Sequence, residues 1–302
     1  MKVWQFNSQQ QQWRQAEVPT PQPAPGEVLI RVAAAGVTPT ELLWYPTAHT
    51  KTGEPRPWAV PGHEFAGTVA TIGQGVDAFR IGDAIYGMSD WFADGATAEF
   101  CITRPEWIAP RPPTLSVEAA AVTPIGALTA WQGLFERAKV RAGERVLVQG
   151  GSGSVGSFAV QLAHAAGATV VATASAHNAD WLRELGAHVA IDYRHPETMP
   201  AEQFDVVFDT VGGETLARGW DLLRPDGRMI SIAADQEGSR DERNKAAFFI
   251  VELNGDQLRK ISERLDRGEL KVSPGTITPF DAAPEAYSGK SAARGKGVVR
   301  GL

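Results

Sequence analysis

Residues 145–165 read RVLVQGGSGSVGSFAVQLAHA. A short apolar strand runs into a turn of glycine and serine, and the turn opens a run of apolar residues at helical spacing. Val155, Phe158, Ala159 and Leu162 fall at i, i+3, i+4 and i+7, and Gly167 suits the end of that helix. No other stretch constrains the fold as much. A buried strand leading straight into a helix calls for a parallel neighbour, and parallel strands need helices on both faces. Within the turn, Gly151, Ser152, Gly153, Ser154, Val155 and Gly156 spell G-x-G-x-x-G in its required setting, after a strand and before a helix. Gly151 permits a tight turn, Gly153 lets a pyrophosphate approach the backbone, and Gly156 lets helix and strand pack closely. The unpaired N–H groups and positive dipole end of the helix then favour phosphate.

The rest of the middle section repeats the unit. ATVVATA (168–174), HVAIDY (188–193), FDVVFDTVGG (204–213) and RMISIAA (228–234) read as further strands, and AFFIVEL (247–253) as a sixth. A helix carrying Leu182 and Leu185 is capped by Asn178 and stops at Gly186; TLARGWDLLR (215–224) and NGDQLRKISERLDRG (254–268) are two more. The fold expected over 118–267 is α/β, a doubly wound parallel sheet of six strands. Residues 1–117 have another texture. VLIRVAAAG (28–36), FAGTVATIG (65–73) and ATAEFCITR (96–104) alternate between Gly- and Pro-rich turns, as in a small, mostly β unit. The tail 268–302 returns to short strands and is expected to rejoin it.

Which nucleotide fits follows from the end of the second strand, where NAD-binding chains place an acid for the ribose 2′-OH. Here the strand ends Thr173-Ala174-Ser175-Ala176-His177-Asn178, and the first acid is Asp180, already in the next helix. An uncharged, hydroxyl-bearing end leaves room for a 2′-phosphate, so NADPH is the expected cofactor. Thr173, Ser175 and Asn178 are its candidate contacts.

Charge narrows the partners. With 29 Lys and Arg against 35 Asp and Glu the chain is net −6, without a basic run, which disfavours nucleic acid and anionic membrane. The opening MKVWQFNSQQ lacks the apolar core of a signal peptide, no apolar run reaches membrane-spanning length, and a cytoplasmic protein is expected. One cysteine, Cys101, allows neither an internal disulfide nor a four-cysteine zinc module. Its alternating strand makes it a small core residue.

The landmarks VLIRVAAAGVTPTE, PGHEFAGTVATIGQGVDAFRIGD, GALTAWQGL, VLVQGGSGSVGSFAVQLAHAAGA, LGAHVAIDY, FDVVFDTVGG and RGKGVV occur in this order over nearly the whole length. In them the chain resembles the medium-chain dehydrogenase/reductase superfamily, and within it the zinc-independent quinone oxidoreductase branch. The resemblance implies a GroES-like catalytic domain, 1–117 joined by 268–302, and a Rossmann NADP-binding domain, 118–267, with the active site in the cleft. It also implies residue roles. Thr129, Phe249 and Val251 lie near the nicotinamide, and Tyr193 packs by the 2′-phosphate. Thr210, Val211 and Gly212 line the nucleotide, as do Ile232 and Ala233 after the fifth strand. Arg294 and Lys296 either face the cofactor or sit in a solvated turn.

Zinc-using members of that superfamily hold the metal with a cysteine in the first motif, the histidine of GHE and a later cysteine or acid. In this chain Thr38 stands at the cysteine position, VTPIGAL (122–128) offers nothing ionisable, and His63 and Glu64 remain. About three N, S or O ligands are needed for catalytic zinc, so no metal is expected. His63 then either orders its turn or faces substrate; Trp44 and Tyr45 are either packing or cleft residues. Glu41 reads as a residue that fixes the loop. Without a Lewis acid the acceptor must delocalise the incoming charge itself, as a quinone or α,β-unsaturated carbonyl (enone) compound does. Thr38, Tyr45 and His63 are the candidates for the oxyanion contact. Two alternatives stay open: a zinc-free reductase of another acceptor, such as an enoyl thioester, and a non-catalytic NADPH-binding redox sensor. Pairing along the FFIV segment suggests a homodimer.

Overall fold

The computed structural model describes residues 1–200, 203–233, 239–289 and 294–301. Its strands are β1 (Lys2–Asn7), β2 (Gln12–Glu17), β3 (Val28–Gly36), β4 (Glu64–Ile72), β5 (Ala84–Met88), β6 (Phe100–Thr103) and β7 (Ile108–Pro110); then β8 (Arg145–Gln149), β9 (Thr169–Ala174), β10 (Val189–Asp192), β11 (Phe204–Asp209) and β12 (Leu223–Ser231); and last β13 (Pro274–Pro279) and β14 (Lys296–Arg300). Two compact units result: residues 1–125 with 253–268 and 272–302, and residues 126–252 with 269–271.

In the first unit the order is β13-β14-β3-β4-β5-β7, with β6 also on β3 and β1–β2 as a separate antiparallel hairpin. The tail thus joins the N-terminal strands, β14 lying antiparallel to β3. The reason is visible in β3, whose inward residues Val28, Ile30 and Val32 meet Phe65, Val69, Ile85, Cys101 and Ile108 in one apolar core. Burial pushes the Cys101 thiol far up, as befits a packing residue. The strand expected over 96–104 is shorter, because its first residues serve the turn before β4: the Ala96 and Thr97 N–H groups donate to the Gly62 and Pro61 carbonyls. The helix Gly255–Asp266, which the sequence reading placed in 118–267, packs on β7 in this unit, where Gly255 lies against the Ile108 carbonyl and leaves no space for a side chain.

The second unit carries an all-parallel sheet in the order β10-β9-β8-β11-β12. Leu147, Val171, Ile191, Phe204, Val207 and Met229 form the core on one face with Leu216 of the helix Gly213–Asp221. The strand order reverses at β8, between β9 and β11, which is where an open sheet of this kind takes a dinucleotide. The sixth strand expected over 247–253 is reduced to a single parallel bridge from Phe248 to Ser231. The helix Glu242–Ala247 consumes its first residue, and beyond Phe248 other groups take over the hydrogen bonds a ladder would use. Ala234, the last residue of the strand expected at RMISIAA, lies outside the described residues.

Candidate functional site

The glycine turn between β8 and the helix Gly156–Ala165 owes its shape to its glycines and to hydrogen bonds with the end of β9. The left-handed residue is Gly150, at φ +78°, one place before the motif glycine expected to make the turn. Its N–H donates to Thr173 Oγ1 at 3.1 Å, and the Gly151 N–H to the Thr173 carbonyl at 2.8 Å. A Cβ on Gly151 would meet Ala172 Cβ at 2.9 Å, and one on Gly156 would sit 2.8 Å from both Gly150 C and Gly151 Cα. Gly151 and Gly156 therefore exist to let turn, strand and helix touch. Gly153 is exposed, with only the Gly150 carbonyl oxygen close to where a Cβ would stand, at 3.3 Å, so ligand atoms can approach its backbone. No side chain caps the first amides of the helix Gly156–Ala165, and Ser152 and Ser154 flank them. An uncapped helix start over a glycine floor suits a pyrophosphate. The residues fit a dinucleotide.

At the end of β9, Thr173 is buried and its hydroxyl is engaged by the turn, a structural use that the sequence did not show. Ser175 Oγ lies 3.2 Å from Asn178 Nδ2 and 3.4 Å from His177 Nε2, and the Asn178 side chain does not cap the helix it precedes. Tyr193 is exposed, with its N–H on the Ala174 carbonyl, so the residues after β10 stand beside those after β9. Arg194 comes with it, its guanidinium near the Tyr193 ring and on Asp192 at 3.1 Å. Hydrogen bonds from the Arg194 backbone and side chain hold the Asp192 carboxyl below the usual range. His177 and Arg194 thus stand with Ser175, Asn178 and Tyr193 beyond the ends of β9 and β10; Arg194 was not legible in the sequence because the strand pairing that sets it beside β9 is not local.

After β11 the loop 210–212 is organised by Asp209, also unforeseen. This fully buried acid accepts the Val211 and Gly212 N–H groups at 3.1 Å and the Ser231 hydroxyl at 2.8 Å. Thr210 Oγ1 returns to the Gln149 carbonyl, Val211 is exposed, and Gly212 takes φ +81°. The Ile232 N–H reaches the Asp209 carbonyl and the Ala233 N–H the Ser231 hydroxyl, so Val211, Gly212, Ile232 and Ala233 connect to Asp209 directly or through Ser231. Thr129, on the helix Pro124–Trp131, is buried, as are Phe249 and Val251.

The first unit holds a different assembly. Glu41, in the 3-10 turn Pro39–Leu43 that Thr38 precedes, is fully buried. It accepts the Gly62 N–H and lies 3.6 Å from His63 Nδ1. His63 Nε2 is 3.3 Å from the Ala93 carbonyl, and its ring meets Trp91 at 5.5 Å. Trp91 in turn sits edge-on to Trp44, and Tyr45 stacks on His49 at 4.3 Å with its edge toward Phe92. Tyr45 and His63 are thus linked through neighbouring aromatic residues, with Tyr45 exposed and His63 enclosed. Glu64, also fully buried, pairs with Lys296 and accepts the Ile125 N–H. Burial raises its carboxyl despite the opposing Lys296 charge. Lys296 is itself buried, and Arg294 is exposed at the start of β14. Tyr287 OH bonds Thr97 Oγ1 at 2.7 Å, and burial beside the Glu41 charge pushes its hydroxyl well up.

That donor set does not fit a catalytic zinc. Thr38 offers a neutral hydroxyl, Glu64 is held by Lys296 and a backbone N–H, and both His63 nitrogens face protein atoms. Among the described residues no group of three or more His, Cys, Asp or Glu is placed to hold a metal ion. Nor, among them, is any helix long and apolar enough to cross a membrane.

Residues 24–113 match the family model described as alcohol dehydrogenase GroES-like domain, and residues 185–299 the one described as zinc-binding dehydrogenase. The chain is 32% identical to a probable zinc-binding mitochondrial oxidoreductase of Arthroderma benhamiae, over 92% of this chain and 90% of that protein. It is 33% identical to 2-methylene-furan-3-one reductase of Solanum lycopersicum, over 94% and 74%. The solved quinone oxidoreductase of Coxiella burnetii superposes with a TM-score of 0.88 at 26% identity, covering 100% of this chain and 99% of that one.

Proposed function

Because the chain belongs to the medium-chain dehydrogenase/reductase superfamily and is an oxidoreductase of it, we propose that it reduces quinones or α,β-unsaturated carbonyl compounds with NADPH, by direct hydride transfer and without zinc. One observation supports the reading: among the described residues the groups around His63 do not fit a catalytic zinc, which favours an acceptor that spreads the incoming charge itself. When bound, NADPH would supply the hydride from nicotinamide C4. The chain's own residues bind and orient. The Gly150–Gly156 backbone takes the pyrophosphate, and Ser175, His177, Asn178, Tyr193 and Arg194 surround the 2′-phosphate. Asp209 fixes the loop 210–212, while Thr129, Phe249 and Val251 set the nicotinamide end and exclude water. Of the three candidates for the acceptor's developing oxyanion, Tyr45 presents an exposed ring. His63 is buried, with Nε2 at 3.3 Å from the Ala93 carbonyl and Nδ1 enclosed 3.6 Å from Glu41, which makes the exposed Tyr45 the first to test.

Purified protein assayed for oxidation of NADPH and of NADH against quinones, enones and enoyl thioesters, with metal analysis of the same sample, tests the reading. NADPH should be preferred, with quinones or enones turned over. One zinc per chain, or turnover confined to enoyl thioesters, would overturn it. Tight NADPH binding without turnover of any acceptor would favour a sensor. The reading includes a homodimer paired along the FFIV segment, residues 248–251, where Ile250 is exposed; a single monomeric species at every concentration in sedimentation would remove that part.

A further inference from the structure

The segment Phe248–Glu252 has the alternation of a strand but almost none of its partners. Phe249 and Val251 are buried and Ile250 is exposed. At one end the Phe249 N–H reaches the Ser231 carbonyl at 3.2 Å, at the close of β12. At the other end one side chain takes the place of a neighbouring strand. Gln132 Nε2 donates to the Glu252 carbonyl at 2.8 Å, and Gln132 Oε1 accepts the Glu252 N–H at 2.9 Å. That is the two-way exchange a paired strand residue makes with its opposite number. Gln132 is 4% exposed, so both bonds are shielded from water.

Gln132 stands directly after the helix Pro124–Trp131. From Gln132 to Arg137 the helix continues as a π-helix, a widened turn that is rare and recurs at functional sites. A side chain on Gly133 would run into the Phe208 ring, so its absence lets the widened turn settle on β11. Arg137, in the same turn, lays its guanidinium 4.6 Å from the Phe249 ring centre. Gln132 and Arg137 thus grip the strap from one π-helix, and Thr129 precedes Gln132 by three residues, on the same helical face.

Sheet order says what the strap is for. With the pyrophosphate over the turn after β8 and the adenosine side over β9 and β10, the nicotinamide half runs over β11 and β12. The strap is the next element beyond β12 on that side. We propose that Gln132 is a positioning residue: its carboxamide stands in for a missing strand and fixes the Phe248–Glu252 strap against which the nicotinamide half of the cofactor is set. The inference rests on the reading that the chain binds NADPH.

The variant Gln132→Met keeps the length of the side chain and removes both hydrogen bonds. Three measurements on the full chain separate the possibilities: amide hydrogen exchange at Glu252, and the dissociation constants of NADPH and of 2′,5′-ADP, which lacks the nicotinamide half. Expected are faster exchange, NADPH binding weaker by about tenfold, and 2′,5′-ADP binding unchanged. Faster exchange with unaltered NADPH affinity would overturn the proposal, and so would equal loss of both ligands. Wild-type protein that binds 2′,5′-ADP but gains nothing from the nicotinamide half would also overturn it. Wild-type protein binding neither ligand would instead overturn the NADPH reading, and this inference with it. Should Q132M fail to fold, exposed Arg137→Ala supplies the second test, with about threefold weaker NADPH and unchanged 2′,5′-ADP expected; no difference between the two ligands would count against the strap.

Discussion

The acid cluster around His63 and the glycine turn after β8 solve opposite problems. In the cluster, acidic side chains are taken out of water and given partners: Glu64 has Lys296, and Glu41 has the Gly62 N–H, with His63 3.6 Å away. In the turn, side chains are missing where they would be in the way, and no side chain caps the helix start that follows. The first arrangement stores its energy in pairs that are costly to break and contributes mainly to the fold. The second costs the fold little and is organised for a ligand. Damage to the two should therefore be read by different instruments, stability for one and affinity for the other.

The largest effect is expected at Lys296. Replacing it with methionine leaves the Glu64 carboxylate buried without its counter-charge, and removing one partner of such a pair costs about 3–5 kcal/mol. Denaturant unfolding should show that loss, and the double variant Lys296→Met with Glu64→Gln should recover much of it, since a neutral pair no longer strands a charge. A loss in the single variant below about 1 kcal/mol would mean that the pair behaves like a surface ion pair, and the contrast with the turn would collapse.

Gly156→Val tests the other side. Its Cβ would sit 2.8 Å from the Gly150 and Gly151 backbone, so the turn has to move away from the helix start. Overpacking of this kind costs about 1–3 kcal/mol. Most of it should be paid in ligand binding, as a loss of about thirtyfold or more in NADPH affinity measured by titration, with a smaller change in melting temperature. Equal losses in binding and stability would show that the turn is structural as much as ligand-directed.

These two regions also differ in how far they could be read beforehand. The turn lies within a dozen residues, and its glycine spacing, the strand before it and the helix after it are all local, so its place was plain from RVLVQGGSGSVGSFAVQL. Only the left-handed position moved, from Gly151 to Gly150. Strand β3 was as legible, because its alternation is enforced by paired neighbours on both edges. The cluster was not. His63 stands out in the sequence through its GHE motif, but its approach to Glu41 joins two separate loops, and Lys296 arrives on a strand from the tail. Gln132 and Glu252 are 120 residues apart, beyond any periodicity. The apolar alternation of AFFIVEL was real, yet pairing is a property of neighbours, and a glutamine took the neighbour's place.

Asp209→Asn is expected to fall between the two classes, because this acid is buried like the cluster's but serves a ligand loop. The amide keeps one acceptor oxygen and turns a donor toward N–H groups that need an acceptor. A destabilisation of about 1–3 kcal/mol in denaturant unfolding is expected. NADPH binding measured on the folded variant should weaken as well, as the loop 210–212 loses its anchor. Loss of stability with affinity intact would place Asp209 with the cluster, as a fold residue.

The smallest effect isolates what burial adds to a charge pair. Glu144 and Arg228 make the same kind of contact as Glu64 and Lys296, in the second unit and at its surface. Two hydrogen bonds, at 3.0 and 2.8 Å, join the guanidinium to the carboxylate, with side chains 33% and 17% exposed. Those hydrogen bonds hold the Glu144 carboxyl below its ordinary value, whereas burial raises that of Glu64. A carboxylate with a depressed folded pKa stabilises the fold above its unfolded value, about 4.3 for glutamate, and loses that contribution as pH falls through the folded value. The penalty of Glu144→Gln should therefore be about 1 kcal/mol at neutral pH and shrink toward zero under acid. Unfolding midpoints of wild type and variant, measured side by side across that range, check the sign. A penalty that grew on acidification would mean that burial, and not the guanidinium, governs Glu144 too.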